Sequence, residues 1–236
     1  VTRRPRVAIL ATGDELAEPG RALRPGQIRD SNSVYLAAAV ARAGAEPWLL
    51  GIARDSADDL RAHLNAAAKA DLILTSGGVS VGTYDLVKQV LVEQGSVELW
   101  RVRMRPGKPL AFGTYGRTPL FGLPGNPVSS AVTFEIFARP AIRQMLGCAE
   151  IERPLVEVEL GGTAIPRIDR RHFVRARLSA RDGRLIATPT GAQGSHRIAS
   201  LLGASALLVI HEGTGVVEAG ALVPALLLVD AAWGGG

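Results

Sequence analysis

Short apolar runs alternate with longer amphipathic segments along the first part of the chain. Five runs have the length of β-strands, and the pattern predicts strands over 7–12, 46–53, 71–78, 97–104 and 119–125. Three of them are apolar on both faces, which is typical of strands buried in a parallel sheet. Helical spacing with capping residues predicts helices over 32–44, 56–70, 84–95 and 127–147. The alternation predicts a three-layer α/β domain with a mostly parallel sheet.

The pattern becomes strand-like and poor in helices after residues 147–154. Strands are predicted over 155–160, 206–210 and 221–229, and residues 172–189 have the pattern of a hairpin. Asp182–Gly183 is a favoured two-residue hairpin turn. We therefore expect a small C-terminal β-barrel-like domain. The expected domains are residues 1–150 and 151–236.

Composition narrows the class of protein. The chain is 47% hydrophobic and 21% charged, which is ordinary for a protein with a well-formed core. Its apolar runs are too short to cross a bilayer, and the opening VTRRPR has no apolar signal core. The one cysteine, Cys148, rules out an internal disulfide. We expect a cytoplasmic protein without a membrane partner.

The chain is basic, with a formal net charge of +5 and a sequence pI near 10.0. This balance favours anionic partners without identifying them. Aromatic residues make up 5% of the chain and do not interleave with the basic ones, so no stacking platform for nucleic acid is evident. We expect no nucleic-acid partner.

The turns after the strands carry the candidate chemistry, because ligands of open α/β sheets bind outside the carboxyl ends of the strands. The first turn, TGDEL, has two carboxylates, Asp14 and Glu15, and the second brings Asp55 to the start of a helix. The alternative for Asp14 and Glu15 is a polar loop that caps the next element. Helix capping is the alternative for Asp55.

The third turn, TSGGVSVGTYD, combines glycines that let a ligand approach the backbone with hydroxyls that can bond phosphate oxygens. The residues concerned are Thr75, Ser76, Gly77, Gly78, Ser80 and Gly82. The turn matches neither the P-loop nor the dinucleotide fingerprint. Asp85 follows, and a carboxylate beside phosphates commonly holds Mg²⁺.

The last two turns are basic and rich in glycine and proline. Strand alternation over 97–104 predicts Arg101, Arg103 and Arg105 on one face, leading to Lys108 in the next turn. In GLPGNP, Asn126 is placed to cap a helix that has Pro127 at its first position. Such a corner can present bare backbone N–H groups to an anion.

These corners in this order, with GQIRDSN at 26–32 and GAQGSHRIASLLGASALLV at 191–209, resemble the molybdopterin molybdenumtransferases. This family of molybdenum-cofactor synthesis is similar to the E domain of gephyrin. The resemblance covers nearly the whole chain. It implies insertion of molybdate into adenylylated molybdopterin, with Mg²⁺-dependent release of AMP. Family members carry two further domains ahead of the matched region and form homodimers. The resemblance therefore implies that this chain corresponds to their C-terminal part, as a fragment, a processed form or a naturally short homologue.

The resemblance also assigns roles to residues of this chain. It implies that Glu15, Asp55 and Asp85 are catalytic, with Asp85 and Glu15 holding Mg²⁺. Molybdate would meet Arg105, Lys108, Ser129, Ser195 and Arg170, with Arg171 as the alternative register for the last. The pterin would contact the turns themselves: Thr12, Gly13, Asp14, Ser76, Gly77, Gly78, Ser80, Gly82, Pro106, Gly107, Pro124, Gly125, Asn126 and Pro127. Arg105 stands where the family usually has lysine, which replaces a point charge by a planar fork of donors.

Two other functions are compatible with parts of the pattern. One is a molybdopterin adenylyltransferase, which shares the α/β fold but lacks a C-terminal β domain. The other is a non-catalytic scaffold of the gephyrin type, against which the three intact acidic residues argue.

Overall fold

The structure, a computed structural model, describes residues 2–78, 90–91, 93, 95–166 and 169–228. The chain divides into two compact units. The sheet unit comprises Val1–Val102 and Gly107–Ile151, and the barrel unit comprises Arg103–Pro106 and Glu152–Gly236. The chain therefore contributes four residues to the barrel unit well before it leaves the sheet unit at Ile151.

The sheet unit is built on a six-stranded sheet with the order β4-β1-β5-β9-β8-β6. Its strands are β1 (Arg6–Thr12), β4 (Glu46–Ala53), β5 (Leu72–Ser76), β6 (Gly95–Arg101), β8 (Pro109–Tyr115) and β9 (Thr118–Leu123). Strands β4, β1, β5 and β9 are parallel, and β8 runs antiparallel to both of its neighbours. The parallel strands therefore end together at one edge, here called the carboxyl edge, and begin together at the amino edge.

The region after the fourth predicted strand differs from the prediction. A continuous strand over 97–104 is wrong, because β6 ends at Arg101 and a separate short strand, β7 (Met104–Arg105), belongs to the barrel unit. The three arginines therefore do not share one strand face. The segment after Lys108, read as part of a turn, forms β8 instead. Its proline is tolerated because it is the first residue of the strand.

Helices cover both faces of the sheet, as the sequence predicts. They are α1 (Ser31–Ala43), α2 (Ala57–Ala67), α3 (Pro127–Thr133) and α4 (Arg139–Met145), with a π-helical turn (Phe134–Ala138) between the last two. Asp30 caps α1 by accepting a hydrogen bond from the Ser33 backbone N–H at 3.0 Å, and Ser56 caps α2. The predicted helix over 84–95 lies largely outside the described residues. In the described part of the chain, no helix has the length and apolarity to cross a membrane.

The core of the sheet unit has two layers, and β1 contributes to both. Val7 and Ile9 pack with Leu36 and Phe134 on one face, whereas Ala8 and Leu10 pack on the other face against the cluster of α2. Successive side chains of a strand point to opposite faces, so a strand buried on both sides must be apolar throughout. This confirms the prediction made from the unbroken apolar runs.

The barrel unit is a closed five-stranded barrel. Its strands are β10 (Leu155–Leu160), β11 (Arg171–Arg181), β12 (Arg184–Pro189), β13 (Ala206–Ile210) and β14 (Leu222–Leu227). The pairing of β12 with both β10 and β11 closes these five strands into a barrel, and the short strand β7 pairs with the start of β11 in the same sheet. The predicted hairpin is confirmed, with Arg181 opposite Arg184 across the turn. A pair of short strands, β2 (Leu16–Ala17) and β3 (Ile28–Arg29), forms separately in the sheet unit.

Candidate functional site

Three of the predicted corners meet at the carboxyl edge of the sheet unit. The strand register places Ala11 of β1 opposite Ser76 of β5, and Ser76 opposite Leu123 of β9. The turns that leave these strands are therefore neighbours, although the first and last lie more than 100 residues apart in the sequence. The predicted site residues brought to this edge by β1, β5 and β9 are Thr12, Gly13, Asp14, Glu15, Ser76, Gly77, Gly78, Pro124, Gly125, Asn126 and Pro127.

Gly77 stands where two backbone segments approach most closely. It has φ of +92°, and a Cβ at this position would lie 2.6 Å from the Thr12 carbonyl oxygen. Its N–H donates to the Leu123 carbonyl at 3.2 Å, and a Cβ on Gly125 would lie 3.5 Å from its Cα. A side chain at position 77 would force β1 and β5 apart at their ends, so the corner requires glycine.

Asn32, at the start of α1, ties two of these corners together. Its side-chain amide donates to Ser76 Oγ at 2.7 Å and to the Gly125 carbonyl at 2.8 Å. The side chain is buried, and Asp30 fixes the helix turn that carries it. The sequence analysis did not select Asn32 as a site residue, although GQIRDSN was among the motifs that carried the resemblance. Its position in the first turn of a helix capped by Asp30 was the available signal.

Two threonine hydroxyls at the carboxyl edge lack hydrogen-bond partners among the described residues. They are Thr12 Oγ1, whose residue is 4% exposed, and Thr75 Oγ1, whose residue is fully buried. Buried hydroxyls are nearly always paired, because an unpaired one forfeits its hydrogen bonds to water. These atoms therefore provide hydrogen-bonding capacity that the described residues do not use.

The ends of β1 and β4 bring two carboxylates together. The backbone N–H of Asp55 donates to Asp14 Oδ1 at 3.2 Å, and the N–H of Asp14 donates to Asp55 Oδ2 at 3.5 Å. The Gly13 N–H donates to the Ala53 carbonyl at 3.2 Å, which fixes the two turns side by side. Glu15 folds back on the first turn, since a Cβ at Gly13 would lie 2.8 Å from Glu15 Cδ. All three acidic side chains are exposed.

A polar cavity of about 740 Å³ opens beside this pair of carboxylates. Asp14 and Asp55 line it together with three arginines, Arg21, Arg24 and Arg54. Both signs of charge therefore face one cavity within the sheet unit. Such a mixture suits a ligand that carries phosphate beside a bound cation.

Two predicted molybdate residues belong to the sheet unit. Lys108 is exposed directly before β8, and its carbonyl accepts from the Val102 N–H at 2.9 Å. Since β8 is antiparallel to β9, its first residues lie at the carboxyl edge. Ser129 is buried in the first turn of α3. Asn126 precedes that helix but makes no side-chain cap hydrogen bond, so its exposed amide has no capping role.

The other predicted molybdate residues belong to the barrel unit. Arg105 lies in β7, opposite His172 of β11. Arg170 is held by its neighbour Asp169, with Nε donating to Oδ1 at 2.9 Å and a second hydrogen bond from Nη2 to Oδ2. Ser195 is half-buried in the segment between β12 and β13. Pro106 belongs to the barrel unit as well, whereas Gly107 belongs to the sheet unit.

The barrel unit also contains a buried cation that the sequence analysis missed. Arg175, on β11, is 1% exposed. Burial and then the nearby charge of Arg105 lower the pKa of its guanidinium to about 10, so it remains cationic at pH 7. Arg175 stands between the buried residues Val174 and Ala176, and a charge is seldom buried without a specific reason.

Metal ligands are sparse in the described residues. No group of three or more His, Cys, Asp or Glu side chains there is arranged to hold a metal ion. Three predicted site residues, Ser80, Gly82 and Asp85, lie outside the described residues.

Two known families match the chain, one over most of the sheet unit and the other over most of the barrel unit. Residues 8–144 match the family described as "Probable molybdopterin binding domain", and residues 158–228 match "MoeA C-terminal region (domain IV)". The first match alone covers more than half of the chain.

Individual proteins agree with these family matches. The chain is 41% identical over 227 residues to molybdopterin molybdenumtransferase 2 of Mycobacterium tuberculosis (strain ATCC 25618 / H37Rv), which covers 93% of this chain and 56% of that protein. It is 36% identical over 230 residues to molybdopterin molybdenumtransferase of Bacillus subtilis (strain 168), covering 97% and 54%. The chain thus spans about half the length of the curated relatives it matches.

Solved structures share both units. Two structures of the molybdopterin biosynthesis MoeA protein from Pyrococcus horikoshii align with TM-scores of 0.83 and 0.77, at 30% and 25% sequence identity. The alignments cover 97% and 95% of this chain and 55% and 54% of those chains.

Proposed function

Because the chain belongs to the molybdopterin molybdenumtransferase family, we propose that it inserts molybdate into adenylylated molybdopterin, with hydrolysis of the adenylate and Mg²⁺-dependent release of AMP. The chain covers about half of its relatives, so this activity is proposed for the protein of which these two units form the matched part. The observation that carries the proposal is the meeting of three glycine-bearing corners at the carboxyl edge, two of which are joined by Asn32.

The pterin substrate is anionic, and the carboxyl edge has features that suit a phosphorylated ligand. Gly78 and Gly125 present backbone without side chains, and Thr12 Oγ1 has no hydrogen-bond partner among the described residues. Backbone N–H groups and free hydroxyls are the usual donors to phosphate oxygens. We therefore assign the phosphates of the substrate to this edge.

Mg²⁺ would be held by Asp85 and Glu15. Mg²⁺ prefers oxygen ligands and keeps several waters, so it commonly uses one or two carboxylates together with substrate phosphates. The exposed Glu15 carboxylate beside Gly13 fits this donor set, and the absence of a three-ligand cluster among the described residues does not conflict with it. When bound, the ion would neutralise charge that develops on the phosphate oxygens.

Asp14 and Asp55 have a different role in this proposal. Each carboxylate accepts a hydrogen bond from the other's backbone N–H, which holds both at the mouth of the polar cavity. Asp55 in this position can accept a proton from the water that hydrolyses the adenylate. Asp14 then orients the turn that carries Asp55.

For molybdate, the second substrate, the resemblance gives candidate contacts in each unit separately: Lys108 and Ser129 in the sheet unit, and Arg105, Arg170 and Ser195 in the barrel unit. Cationic groups and hydroxyls are suitable partners for an oxyanion, because both donate hydrogen bonds to its oxygens. Arg170 is engaged by Asp169, which leaves its outer N–H groups as the donors for an anion. A homodimer is expected for the whole protein by the same resemblance.

AMP release tests the proposal directly. The protein is incubated with adenylylated molybdopterin and Mg²⁺, molybdate is added, and AMP is measured by chromatography. We expect AMP to appear only when molybdate and Mg²⁺ are both present. If the pterin does not bind and no AMP forms under any of these conditions, the proposed activity is wrong.

The metal assignment has a separate test. Asp85→Asn should reduce Mg²⁺-dependent AMP release much more than it reduces pterin affinity, because the carboxylate serves the ion rather than the pterin. Equal losses of turnover and of pterin affinity would remove Asp85 from the metal site.

A further inference from the structure

The polar cavity of the sheet unit contains positive charge to which the proposed function gives no role. Asp14 and Asp55 line this cavity of about 740 Å³, and so do Arg21, Arg24 and Arg54. The proposed function uses the two carboxylates only. The guanidinium groups lie beside the residue proposed to activate water, so their charges act on any ligand that enters the cavity.

Two of these arginines belong to one excursion of the chain from β2 to β3, here called the arm (residues 16–29). The base of the arm is fixed to the first turn. The Ile28 N–H donates to the Glu15 carbonyl at 2.8 Å, and the Asp30 N–H donates to the Ala17 carbonyl at 2.9 Å. The arm therefore begins and ends beside the acidic residues of that turn.

The tip of the arm is held by hydrogen bonds within the arm itself. The Arg24 N–H donates to Gln27 Oε1 at 3.1 Å, and the Gln27 N–H donates to the Arg24 carbonyl at 3.0 Å. Arg29 Nη1 donates to the Arg21 carbonyl at 2.7 Å. The backbone thus fixes where both arginines of the arm meet the cavity, although residues 18–26 are exposed.

The three arginines differ in how their charges are used. Arg21 forms an ion pair with Glu18, with 2.8 Å between Nε and Oε2. Among the described residues, no acceptor pairs with the guanidinium of Arg24 or of Arg54. A guanidinium fork bonds two oxygens of one phosphate. Two cations without a described partner therefore suit a phosphorylated ligand in this cavity.

The proposed base indicates which phosphate this is. Asp55 can accept a proton only from a water within hydrogen-bond reach, so the phosphorus that this water attacks must lie in the same cavity. The water forms a bond to the adenylyl phosphorus and gives up a proton to Asp55. The bond from that phosphorus to the bridging oxygen breaks, and this oxygen leaves with the pterin phosphate. The AMP that forms is a phosphate monoester with a charge of about −1.5 to −2 at pH 7.

We propose that this cavity is the subsite for the AMP half of the substrate, and that Arg24 of the arm and Arg54 bind the AMP phosphate. The pterin phosphate lies at the glycine corners, and the AMP phosphate lies further along the same edge, at the ends of β1 and β4. The inference rests on the proposed function, which supplies the adenylate and the role of Asp55.

Five variants of the protein test this subsite. Arg24→Met and Arg54→Met, singly and together, remove charge and fork, whereas Arg54→Lys keeps the charge alone. Arg117→Met is the matched control, because it removes an exposed arginine from the turn between β8 and β9 at the amino edge. The readouts are the Kd values for AMP and for adenosine by isothermal titration, the affinity for molybdopterin without AMP, and the Tm.

We expect each Met variant at positions 24 and 54 to raise the Kd for AMP about tenfold, and the double variant to raise it about 100-fold, since each loses a charge-assisted contact to phosphate. Adenosine has no phosphate, so its Kd should not change. Arg54→Lys should recover part of the affinity, because an ammonium lacks the fork. Molybdopterin affinity and Tm should stay at the wild-type values, and Arg117→Met should change no readout.

The outcomes separate this inference from the proposed function. Wild-type AMP affinity in the double variant, an equal loss in Arg117→Met, or equal losses of AMP and adenosine affinity would each overturn the inference. If the double variant does not fold, the two single variants decide by the same criterion. A wild-type protein that releases AMP with molybdate and Mg²⁺ but does not bind AMP also overturns the subsite alone. If the wild-type protein neither binds nor releases AMP, the proposed function fails instead.

Discussion

The two edges of the sheet in the sheet unit are built in opposite ways. At the amino edge, Asp71 Oδ2 accepts from Arg3 Nη1 at 2.8 Å and from the Arg6 N–H at 2.7 Å. The guanidinium of Arg6 lies 3.9 Å from the ring centroid of Trp48. The charged groups of this edge contact one another or an aromatic ring, although Arg6 Nε has no hydrogen-bond partner among the described residues.

The carboxyl edge of the same strands has few such pairs. Glycine backbone, two threonine hydroxyls without described partners and exposed carboxylates take the place of ion pairs there. The same strands pair at both edges, so strand pairing does not account for the difference. It indicates that one edge is specialised for stability and the other for a ligand.

The largest effect is expected at Gly77. Gly77→Ala should destabilise the protein by about 3 kcal/mol or more, because it combines a strained φ with a backbone contact at 2.6 Å. Gly20→Ala is the matched control, since Gly20 has a similar φ of +89° with nothing within 4 Å of a Cβ. It should cost about 1 kcal/mol by denaturant unfolding. Equal costs would mean that the close approach of β1 and β5 is absent in solution.

Asn32→Ala should have the next largest effect. It removes two buried hydrogen bonds and should cost about 2 kcal/mol of unfolding free energy, together with a clear loss of pterin affinity. The control for stability is Asn126→Ala, which removes no cap bond and should cost less than about 0.5 kcal/mol. Normal pterin affinity in a folded Asn32→Ala protein would show that pterin binding does not depend on the hydrogen bonds from Asn32 to the two corners.

Lys108→Ala removes a positive charge from the carboxyl edge. We expect the molybdate concentration for half-maximal AMP release to rise about tenfold, or about 1.4 kcal/mol, with little change in stability. Lys69→Ala removes an equally exposed lysine near the amino edge and should leave the molybdate requirement unchanged. Similar results for both variants would take Lys108 out of the oxyanion site.

The smallest effect is expected from a substitution of Asp71 at the amino edge. Hydrogen bonding to Arg3 is the main cause that lowers the pKa of Asp71, so the folded state favours the ionised carboxylate. Its stabilisation is present above the pKa of the unfolded chain and is lost as pH falls through the lower, folded pKa. Asp71→Asn should cost less than about 1 kcal/mol at pH 7, and the difference from wild type should vanish in acid.

Unfolding curves of wild type and Asp71→Asn between neutral pH and pH 2 measure this difference. The pterin affinity of Asp71→Asn should remain normal. A marked loss of pterin affinity would contradict the division of roles between the two edges.

The fold could be predicted from the sequence wherever a local pattern, such as an apolar run or a turn dipeptide, identified the element. Unbroken apolar runs identified β1, β5 and β9, and Asp182–Gly183 identified the barrel hairpin. The prediction failed between Arg101 and Lys108, because four residues there, Arg103–Pro106, belong to the barrel unit. Neither periodicity nor turn residues encode which sheet a two-residue strand will join, since its pairing partner, β11, lies far along the chain.

The site was predictable as a set of corners but not as a set of contacts. Glycines, prolines and acids at strand ends mark the corners in the sequence. Asn32 and Arg175 could not be selected in the same way, because each acts through partners distant in sequence: Asn32 contacts Ser76 and Gly125, and Arg175 contacts the segment that carries Ser195.

Hydrogen–deuterium exchange with and without adenylylated molybdopterin tests the contrast between the edges most directly. The account predicts that ligand slows exchange of the amides at 12–16, 76–78, 125 and 126 at the carboxyl edge. Amides at 3, 4, 6 and 71 at the amino edge should exchange at the same rate with and without ligand. Protection confined to the amino edge, or spread equally over both edges, would contradict the account.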